Sequence, residues 1–250
     1  MLSLCSGSRD ADPTPRTQPC QYDSCQAGSG PVGVNASDPR LNWVNSYPVT
    51  AMRLGLSTLS TQFWNGQRPD IAVTGPNVGS NLWLTTRISG TVGAAVYAAH
   101  NAGVPAIAFS GASGGALPWN TTSSPARSLV YAELARRLTE AVLASGKPYL
   151  PDDVWLNVNF PKVEGECTHA DDFKWVLSRI NPGIFSNPDV RHCCRTILPT
   201  ESEVAGTKGC YISVTVGDAS DKTTASEEKQ TVVLEKLQGI LACLPNGRTQ

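Results

Sequence analysis

Short apolar runs alternate with helical stretches along most of this chain, and the alternation predicts strands that alternate with helices. The run "IAV" between Pro69 and Gly75 predicts a short buried strand, and "VPAIAFSG" predicts a second one. Between them, "SGTVGAAVYAAHNAG" (89–103) predicts a helix of small residues that starts near Ser89 and stops at Gly103. Strand, helix and strand within about forty residues have the size of a right-handed βαβ unit.

Further elements continue this alternation. An amphipathic helix is predicted over residues 49–60, and a stronger one over 124–146. "VWLNVNF" and "CYISVTV" predict two more strands. The last helix is predicted to begin with a capping box, Thr224-x-x-Glu227, and to run through "VVLEKLQGILACL". Together these elements predict an α/β fold with helices on both faces of a sheet.

The chain of 250 residues is long enough for one large domain or two small ones. Residues 1–40 are rich in Pro, Ser, Gly and Asp without sustained periodicity, so we predict an irregular N-terminal segment there. We predict that residues 41–250 form a single α/β domain.

Charge and hydropathy exclude several classes of partner. The formal net charge is −1, with Lys+Arg 20 against Asp+Glu 21 and no long basic run, so we expect neither a nucleic acid polymer nor an anionic membrane as partner. No apolar run approaches the ~18 residues of a membrane-spanning helix. The first residues lack the apolar core and cleavage region of a secretory signal.

Other features indicate an extracellular protein. "NAS" at Asn35 and "NTT" at Asn120 fit the glycosylation triplet, which also arises by chance. Because no Cys-x2-Cys spacing occurs, disulfides are favoured over a zinc site. Candidate bonds join Cys20 to Cys25 and Cys210 to Cys243. The eight cysteines are Cys5, Cys20, Cys25, Cys167, Cys193, Cys194, Cys210 and Cys243.

Two glycine-rich stretches could bind a ligand. "TGPNVGSN" follows "IAV", and ligands of open α/β sheets bind outside the carboxyl ends of strands. Asn77 can offer an amide oxygen to a hard cation or an amide N–H to a phosphate oxygen. Ser89, Gly90 and Thr91 open a helix, where free N–H groups favour an anion. The pair predicts a site for a phosphate monoester with a divalent cation; a plain turn and a plain helix cap are the structural alternatives.

A separate motif suggests a serine esterase. "GASGG" (111–115) matches the G-x-S-x-G pattern around Ser113, and Asp171 and His192 follow in the order of an α/β-hydrolase. That pattern requires a helix directly after the serine, whereas "ALPWNTTSSP" intervenes here. A glycine-rich loop is therefore favoured for Ser113.

The remaining candidate groups are assigned no role. The carboxylate pairs Asp152–Asp153 and Asp171–Asp172 each precede a predicted strand, so we expect both at the edge away from the site. The histidines share no metal-ligand spacing, and we expect an exposed or capping position for His100.

The central stretches resemble a known family. "PDIAVTGPNVGSNL" followed by "ISGTVGAA" resembles the signature of the SurE-like (survival protein E) phosphatases and nucleotidases, and "WLNVNFP" and "CYISVTV" resemble further stretches. "NASDPRLNWVNSYPVTAMRLG" resembles the secreted eukaryotic branch, often described as acid phosphatases. The likeness covers residues 20–244.

This resemblance implies a Rossmann-like, mostly parallel sheet and hydrolysis of phosphate monoesters, commonly nucleoside monophosphates, with a divalent cation such as Mg²⁺, Mn²⁺ or Co²⁺. It implies that Asn77 is a metal ligand and that Ser89, Gly90 and Thr91 form a phosphate-binding turn. Family members commonly dimerise, which makes a homodimer an expectation to test. A non-catalytic anion- or nucleotide-binding protein is the alternative function, and a serine esterase is the third.

One departure from the family is large. Its first strand ends in Asn-Asp-Asp-Gly, whose aspartates hold the metal, and this sequence contains no such segment. We therefore expect an N-terminally truncated form of a secreted protein, without the first strand and the catalytic aspartates. Its activity should be impaired, because one asparagine binds a hard dication weakly. We also expect exposed strand edges and poor solubility.

Overall fold

The structure is a computed structural model and describes residues 18–245, except 21, 23, 113, 116, 119 and 184–186. A short antiparallel hairpin comes first, followed by a six-stranded sheet in the order β3-β4-β5-β7-β6-β8. The strands are β1 (Val32–Val34), β2 (Asn42–Val44), β3 (Ala72–Val78), β4 (Ala106–Gly111), β5 (Val154–Phe160), β6 (Lys174–Ser178), β7 (Tyr211–Asp218) and β8 (Leu241–Ala242).

Strand direction reverses once across the main sheet. Strands β3, β4 and β5 run parallel to one another, and β6, β7 and β8 run parallel in the opposite direction. The antiparallel junction lies between β5 and β7. The prediction of a mostly parallel α/β sheet is thus confirmed.

Helices cover the sheet at the four predicted places, and a further helix occurs at Glu201–Gly206, which was not predicted from the sequence. They are α1 (Pro48–Leu54), α2 (Gly90–Val96), α3 (Ala126–Ala144), α4 (Glu201–Gly206) and α5 (Glu227–Leu237). Helix α1 continues as a π-helical turn and a 3₁₀ turn as far as Gln62, and α2 continues as a π-helical turn to Asn101. Two further 3₁₀ helices span Trp83–Arg87 and Ala170–Asp172. Within the described residues, no helix has both the length and the apolarity to cross a bilayer.

The two faces of the sheet bury two separate cores, because neighbouring residues of a strand point to opposite faces. On one face, Phe109 and Phe160 pack against α3, with ring centroids 5.5 Å apart. On the other face, Ala108 and Trp155 pack against the small residues of α2. The small residues Gly93, Ala94 and Ala95 allow α2 to approach the sheet closely, and helices on both faces are confirmed.

The predicted loop "TGPNVGSN" is wrong in its first half, because strand β3 continues through Asn77 to Val78. Gly75 makes this possible. Its φ is +85°, and a Cβ there would lie 2.1 Å from the carbonyl oxygen of Phe109. The register shifts between Thr74 and Asn77, after which Asn77 pairs with Ser110.

The predicted start of the last helix is also wrong. Ser226, rather than Thr224, caps α5 by accepting a hydrogen bond from the amide of Lys229. The Thr224 hydroxyl instead donates to Asn181 and accepts from the amide of Ile180. The helix ends at Leu237, because the chain then turns to add β8 to the sheet edge.

The cysteines form disulfides, as we predicted in preference to a zinc site, but one predicted pairing differs from the observed one. Cys20–Cys25 forms as predicted. The predicted Cys210–Cys243 bond is wrong, since β6 lies between β7 and β8 and separates the two residues. The observed bonds are Cys167–Cys210 and Cys193–Cys243. Cys194 is a free, exposed thiol, and Cys5 lies outside the described residues.

The N-terminal part contains more regular structure than we predicted. Strand β1 lies inside the segment predicted as irregular, and it pairs with β2 across the proposed boundary at residue 40. Irregularity is therefore wrong for Val32–Val34. The division into residues 1–40 and a single domain over 41–250 stays a prediction.

Candidate active site

Asn77 lies at the carboxyl ends of β3 and β4 and is held in one orientation. Its Oδ1 accepts hydrogen bonds from the Ser110 hydroxyl and from Asn81 Nδ2, both at 2.9 Å. Its Nδ2 donates to the carbonyl oxygens of Val78 and Gly79, both at 3.2 Å. Donors on one side and acceptors on the other therefore fix which way the carboxamide points.

Asn81, in the same motif, connects three strands. Besides Asn77, its Nδ2 donates to Ser110 Oγ at 2.7 Å. Its main-chain amide donates to Asn159 Oδ1 at 2.7 Å, and its carbonyl oxygen accepts from Asn157 Nδ2 at 2.7 Å. Asn81 is only 6% exposed, so the segment after β3 is fastened to β3, β4 and β5 by buried hydrogen bonds.

The strands below this segment present a polar surface. Asn159 pairs with Ser110 on one side and with Ser213 on the other, and Asn157 pairs with Thr215. Directly paired residues share a face of the sheet, so these side chains form two adjacent polar rows on the face that α2 also covers. All five residues are buried.

A buried carboxyl group completes the network. Glu201, the first residue of α4, accepts from Asn157 Nδ2 at 2.6 Å and from the main-chain amide of Trp83 at 3.3 Å. Burial raises the pKa of Glu201 to about 8, although hydrogen bonds from Asn157, Thr215 and Trp83 favour the charged form. Burial therefore favours the neutral form of this carboxyl group at pH 7.

The predicted phosphate turn opens α2. Ser89 is the N-cap, and its Oγ accepts from the amide of Val92 at 3.2 Å. Ser89 therefore acts as a helix cap, which is the structural alternative considered for this residue. Ser89, Gly90 and Thr91 are all partly exposed, and the amide of Ser89 donates to the carbonyl oxygen of Thr85 at 3.0 Å.

The two predicted motifs lie on the same face of the sheet, but no described contact joins Asn77 to the turn at 89–91. Thr74 Oγ1 donates to the Thr91 carbonyl oxygen at 3.0 Å, which fastens the start of α2 to β3. Thr74 and Asn77 pair with Ala108 and Ser110, so both point to the face that α2 covers. A cavity of about 390 Å³ is lined by Pro48, Ala51, Met52, Gly55, Thr74, Gly75, Thr91 and Ala94, and Asn77 is not part of this lining.

The described residues around Asn77 do not by themselves fit a hard dication. The Asn77 oxygen already accepts two hydrogen bonds, the number its lone pairs allow. Among the described residues, one group of His, Cys, Asp or Glu side chains lies close enough together to hold a metal ion. It consists of His192, Cys193 and Cys243, and its two sulfurs already form a disulfide. Carboxylates, which such a cation prefers, do not surround Asn77 there.

Among the esterase candidates, Asp171 and His192 have separate surroundings. Ser113 lies outside the described residues. Asp171 is paired with Arg137 of α3 at 2.6 Å, and His192 lies beside the Cys193–Cys243 disulfide. The expected position of the pair Asp171–Asp172 is wrong, since β6 runs opposite to β5 and begins at the edge where β5 ends.

The other candidate residues lie away from Asn77. His100 Nδ1 contacts Asp153 Oδ1 at 2.8 Å at the edge where β5 begins. Asn120 is exposed in a turn, as a glycosylation acceptor must be. Asn35 is partly buried, and its Oδ1 accepts from the amide and hydroxyl of Ser37.

Reasoning from the sequence assigned no role to Asn81, Asn157, Asn159 and Glu201. The stretch "VWLNVNF" carried a usable signal, because two asparagines two residues apart in an apolar strand lie on one face. Glu201 gave no such signal, because its burial depends on the packing of α4 against β5 and β7.

The fold and the site define the class of protein. It is an α/β protein with a polar site at the carboxyl ends of its parallel strands. The family model for Survival protein SurE matches residues 17–185, which is more than half of the chain. The chain therefore belongs to the SurE family.

Individual relatives are consistent with this family. The acid phosphatase of Yarrowia lipolytica (strain CLIB 122 / E 150) is 32% identical over 223 residues, covering 76% of this chain and 62% of that protein. The 5'-nucleotidase SurE of Chlorobium chlorochromatii (strain CaD3) is 38% identical over 120 residues, covering 48% and 38%. The crystal structure of the SurE protein from Aquifex aeolicus has a TM-score of 0.47 and 20% identity, covering 86% of this chain and 83% of that chain. The chain thus spans less than two thirds of the length of the Yarrowia acid phosphatase and of the Chlorobium 5'-nucleotidase.

Proposed function

We propose that this protein is a hydrolase of small phosphate monoesters, of the acid phosphatase or nucleotidase type. The observation that carries the proposal is the fixed carboxamide of Asn77 at the carboxyl ends of β3 and β4, in a region that matches the SurE family. Ligands of open α/β sheets bind at this edge. Buried polar side chains cost stability unless every group is paired, so such a network fits a functional site better than an ordinary core.

Within this proposal, Ser89, Gly90 and Thr91 bind the phosphate group. The main-chain N–H groups of Gly90 and Thr91, in the first turn of α2, would donate to phosphate oxygens, and the helix dipole would favour their negative charge. Because Ser89 Oγ is used as the cap, we assign the phosphate contacts mainly to main-chain amides and to the Thr91 hydroxyl.

We further propose a requirement for a divalent cation, with Mg²⁺, Mn²⁺ and Co²⁺ as candidates. Asn77 could contribute to its site only by giving up one of the two hydrogen bonds that its oxygen accepts. When bound, such a cation would stabilise charge on the phosphoryl oxygens. The described residues supply no carboxylates for it at Asn77, so we expect weak cation binding and impaired hydrolysis by the 250-residue chain. As part of the same proposal, the preferred substrate is a nucleotide-like phosphate monoester.

We also propose an extracellular location, supported by three disulfides among the described residues and by the acid phosphatase relative. This proposal includes glycosylation of Asn35 and Asn120, which is tested by mass measurement before and after glycosidase treatment. It also includes assembly into a homodimer, which is tested by sedimentation.

The central experiment measures phosphate release from 4-nitrophenyl phosphate and from adenosine monophosphate with each of the three cations. Asn77→Ala should abolish whatever cation-dependent release the unchanged protein shows. Val78→Ala is the matched control, because Val78 is the next residue and is exposed. Equal release by Asn77→Ala and the unchanged protein would contradict the proposal.

The alternative is an anion-binding protein without catalysis. Calorimetric binding of inorganic phosphate that Gly90→Pro weakens, together with no release of phosphate under any cation, would favour this alternative. For the esterase hypothesis, labelling of Ser113 by a fluorophosphonate is the test, and an unlabelled Ser113 would exclude it.

A further inference from the structure

The segment after β3 is held down by side chains from two distant parts of the chain. The main-chain amide of Asn81 donates to Asn159 Oδ1, and the amide of Trp83 donates to Glu201 Oε2. Between these points, Asn157 Nδ2 bridges the Asn81 carbonyl oxygen at 2.7 Å and Glu201 Oε1 at 2.6 Å. A continuous path of hydrogen bonds therefore runs from α4, across β5, to the motif that contains Asn77.

This path ends on the Asn77 carboxamide. Asn81 Nδ2 donates to Asn77 Oδ1, and it can do so only while its own main chain stays where Asn157 and Asn159 hold it. Ser110 makes the second contact to Asn77 from the sheet itself. Displacement of the segment would thus remove one of the two bonds that orient Asn77.

We infer that Asn157 and Glu201 are positioning residues, which hold Asn81 and thereby set the orientation of Asn77. This inference concerns residues to which the proposed function gives no role. Its importance for hydrolysis rests on the proposed function, whereas the positioning itself can be measured without any activity.

Burial favours an uncharged Glu201, and no cation lies among its described partners to offset that burial. The Asn157 and Thr215 side chains face it from β5 and β7, and the Trp83 amide faces it from the 3₁₀ helix, so each of these partners is neutral. On its own helix, the Glu201 amide donates to the Arg179 carbonyl oxygen, while the Arg179 guanidinium is paired with Asp189. A carboxylate here would have no cation among the described partners, so ionisation of Glu201 favours opening of the segment.

The test is residue-specific amide hydrogen exchange followed by NMR. The Asn81 and Trp83 amides bind side chains of the path, whereas the Gly79 amide binds the Gly111 carbonyl oxygen and serves as an internal reference. Asn157→Leu removes both donors at similar volume and should accelerate exchange at Asn81 and Trp83 by about tenfold or more, with little change at Gly79. The Asn77 side-chain resonances should shift in the same variant.

The control for Asn157→Leu is Ser213→Ala. Ser213 is buried on the same face, but its hydroxyl has no hydrogen-bond partner among the described residues, so its removal should leave all three amides unchanged. If Ser213→Ala accelerates Asn81 and Trp83 as much as Asn157→Leu does, the effect is general loosening and the inference is wrong.

The role of Glu201 is tested through the pH dependence of amide exchange. Opening that exposes this carboxyl group should become easier by about tenfold per pH unit between pH 4.5 and pH 8, and protection of the Trp83 amide should fall accordingly. Glu201→Gln retains an acceptor for Asn157 and should abolish this dependence, while Glu201→Leu should accelerate exchange at every pH. The same pH profile in the unchanged protein and in Glu201→Gln would overturn the inference. Absence of phosphate release would count against the proposed function alone.

Discussion

The side chain of Asn81 donates to Asn77 Oδ1 at 2.9 Å, so the last asparagine of "TGPNVGSN" orients the first. The two residues lie four positions apart, one within β3 and the other in the segment that folds back over the sheet. The motif is therefore a strand end and a return segment that hold each other, and both contribute to one buried network.

Replacing Asn81 by alanine should separate these two parts. Asn81→Ala removes the donor to Asn77 and Ser110, and we expect a loss of about 1–3 kcal/mol in the free energy of unfolding. Urea denaturation measures this loss. Asn42→Ala, in which an exposed asparagine of the hairpin is changed, should leave stability nearly unaltered. Comparable losses in both variants would show that the buried network has no special weight.

Gly75→Ala should be more harmful than Gly79→Ala. Both glycines have positive φ, +85° and +97°, so both variants incur backbone strain of about 1–2 kcal/mol. Only at Gly75 would the new Cβ also lie 2.1 Å from the carbonyl oxygen of Phe109, which forces β3 away from β4. Thermal unfolding of the two variants gives the comparison. Equal melting temperatures would mean that the close approach is relieved without cost.

Stability should fall as pH rises through neutrality, because Glu201 is buried without a cation. Its pKa is about 8 in the folded protein against 4.5 in the unfolded chain, so folding takes up a proton between these values. The contribution of this group is complete below pH 4.5 and is lost by about 1.4 kcal/mol per pH unit up to pH 8. Denaturant titrations from pH 4 to pH 9 measure the slope. Glu201→Gln should remove it, and a slope that persists in this variant would assign it to other groups.

The buried pair Arg179–Asp189 should matter more than a surface pair. Its atoms lie 2.6 Å apart and both side chains are 2% exposed, while Asp189 also accepts from Gln230. Arg179→Met leaves a buried carboxylate without its cation and should cost about 3–5 kcal/mol. Arg40→Met, at the exposed pair with Asp38, should have no measurable effect in the same denaturation assay. A small loss for Arg179→Met would mean that water reaches Asp189.

The outer side of β3 should promote self-association. Among the described residues β3 has β4 as its only neighbour, and Val73 and Val78 are 45% and 56% exposed. Val73→Lys places a charge on this edge and should reduce light scattering at high protein concentration without lowering the melting temperature. Leu129→Lys, on the exposed side of α3, is the control. An equal reduction by both variants would indicate that added charge, rather than the strand edge, is responsible.

Much of the fold was predictable from local pattern. The strands "AIAFSG", "VWLNVNF" and "YISVTVGD" are short, apolar and bounded by turns, and the long helix over Ala126–Ala144 shows clear helical periodicity. Where local chemistry was ambiguous, prediction failed. Thr224 and Ser226 are both good caps, and only the contact of Thr224 with Asn181 decides which one begins α5.

The sequence by itself determined the α/β class, the helices on both faces and the two motifs at Asn77 and Ser89, because propensity and periodicity act over a few residues. Only the tertiary structure decided that β6 to β8 run opposite to β3 to β5, that Cys210 bonds Cys167, and that Glu201 reaches Asn81 through Asn157. These are contacts between residues far apart in the chain. Their energies depend on strand order and burial, which no local pattern of residues contains.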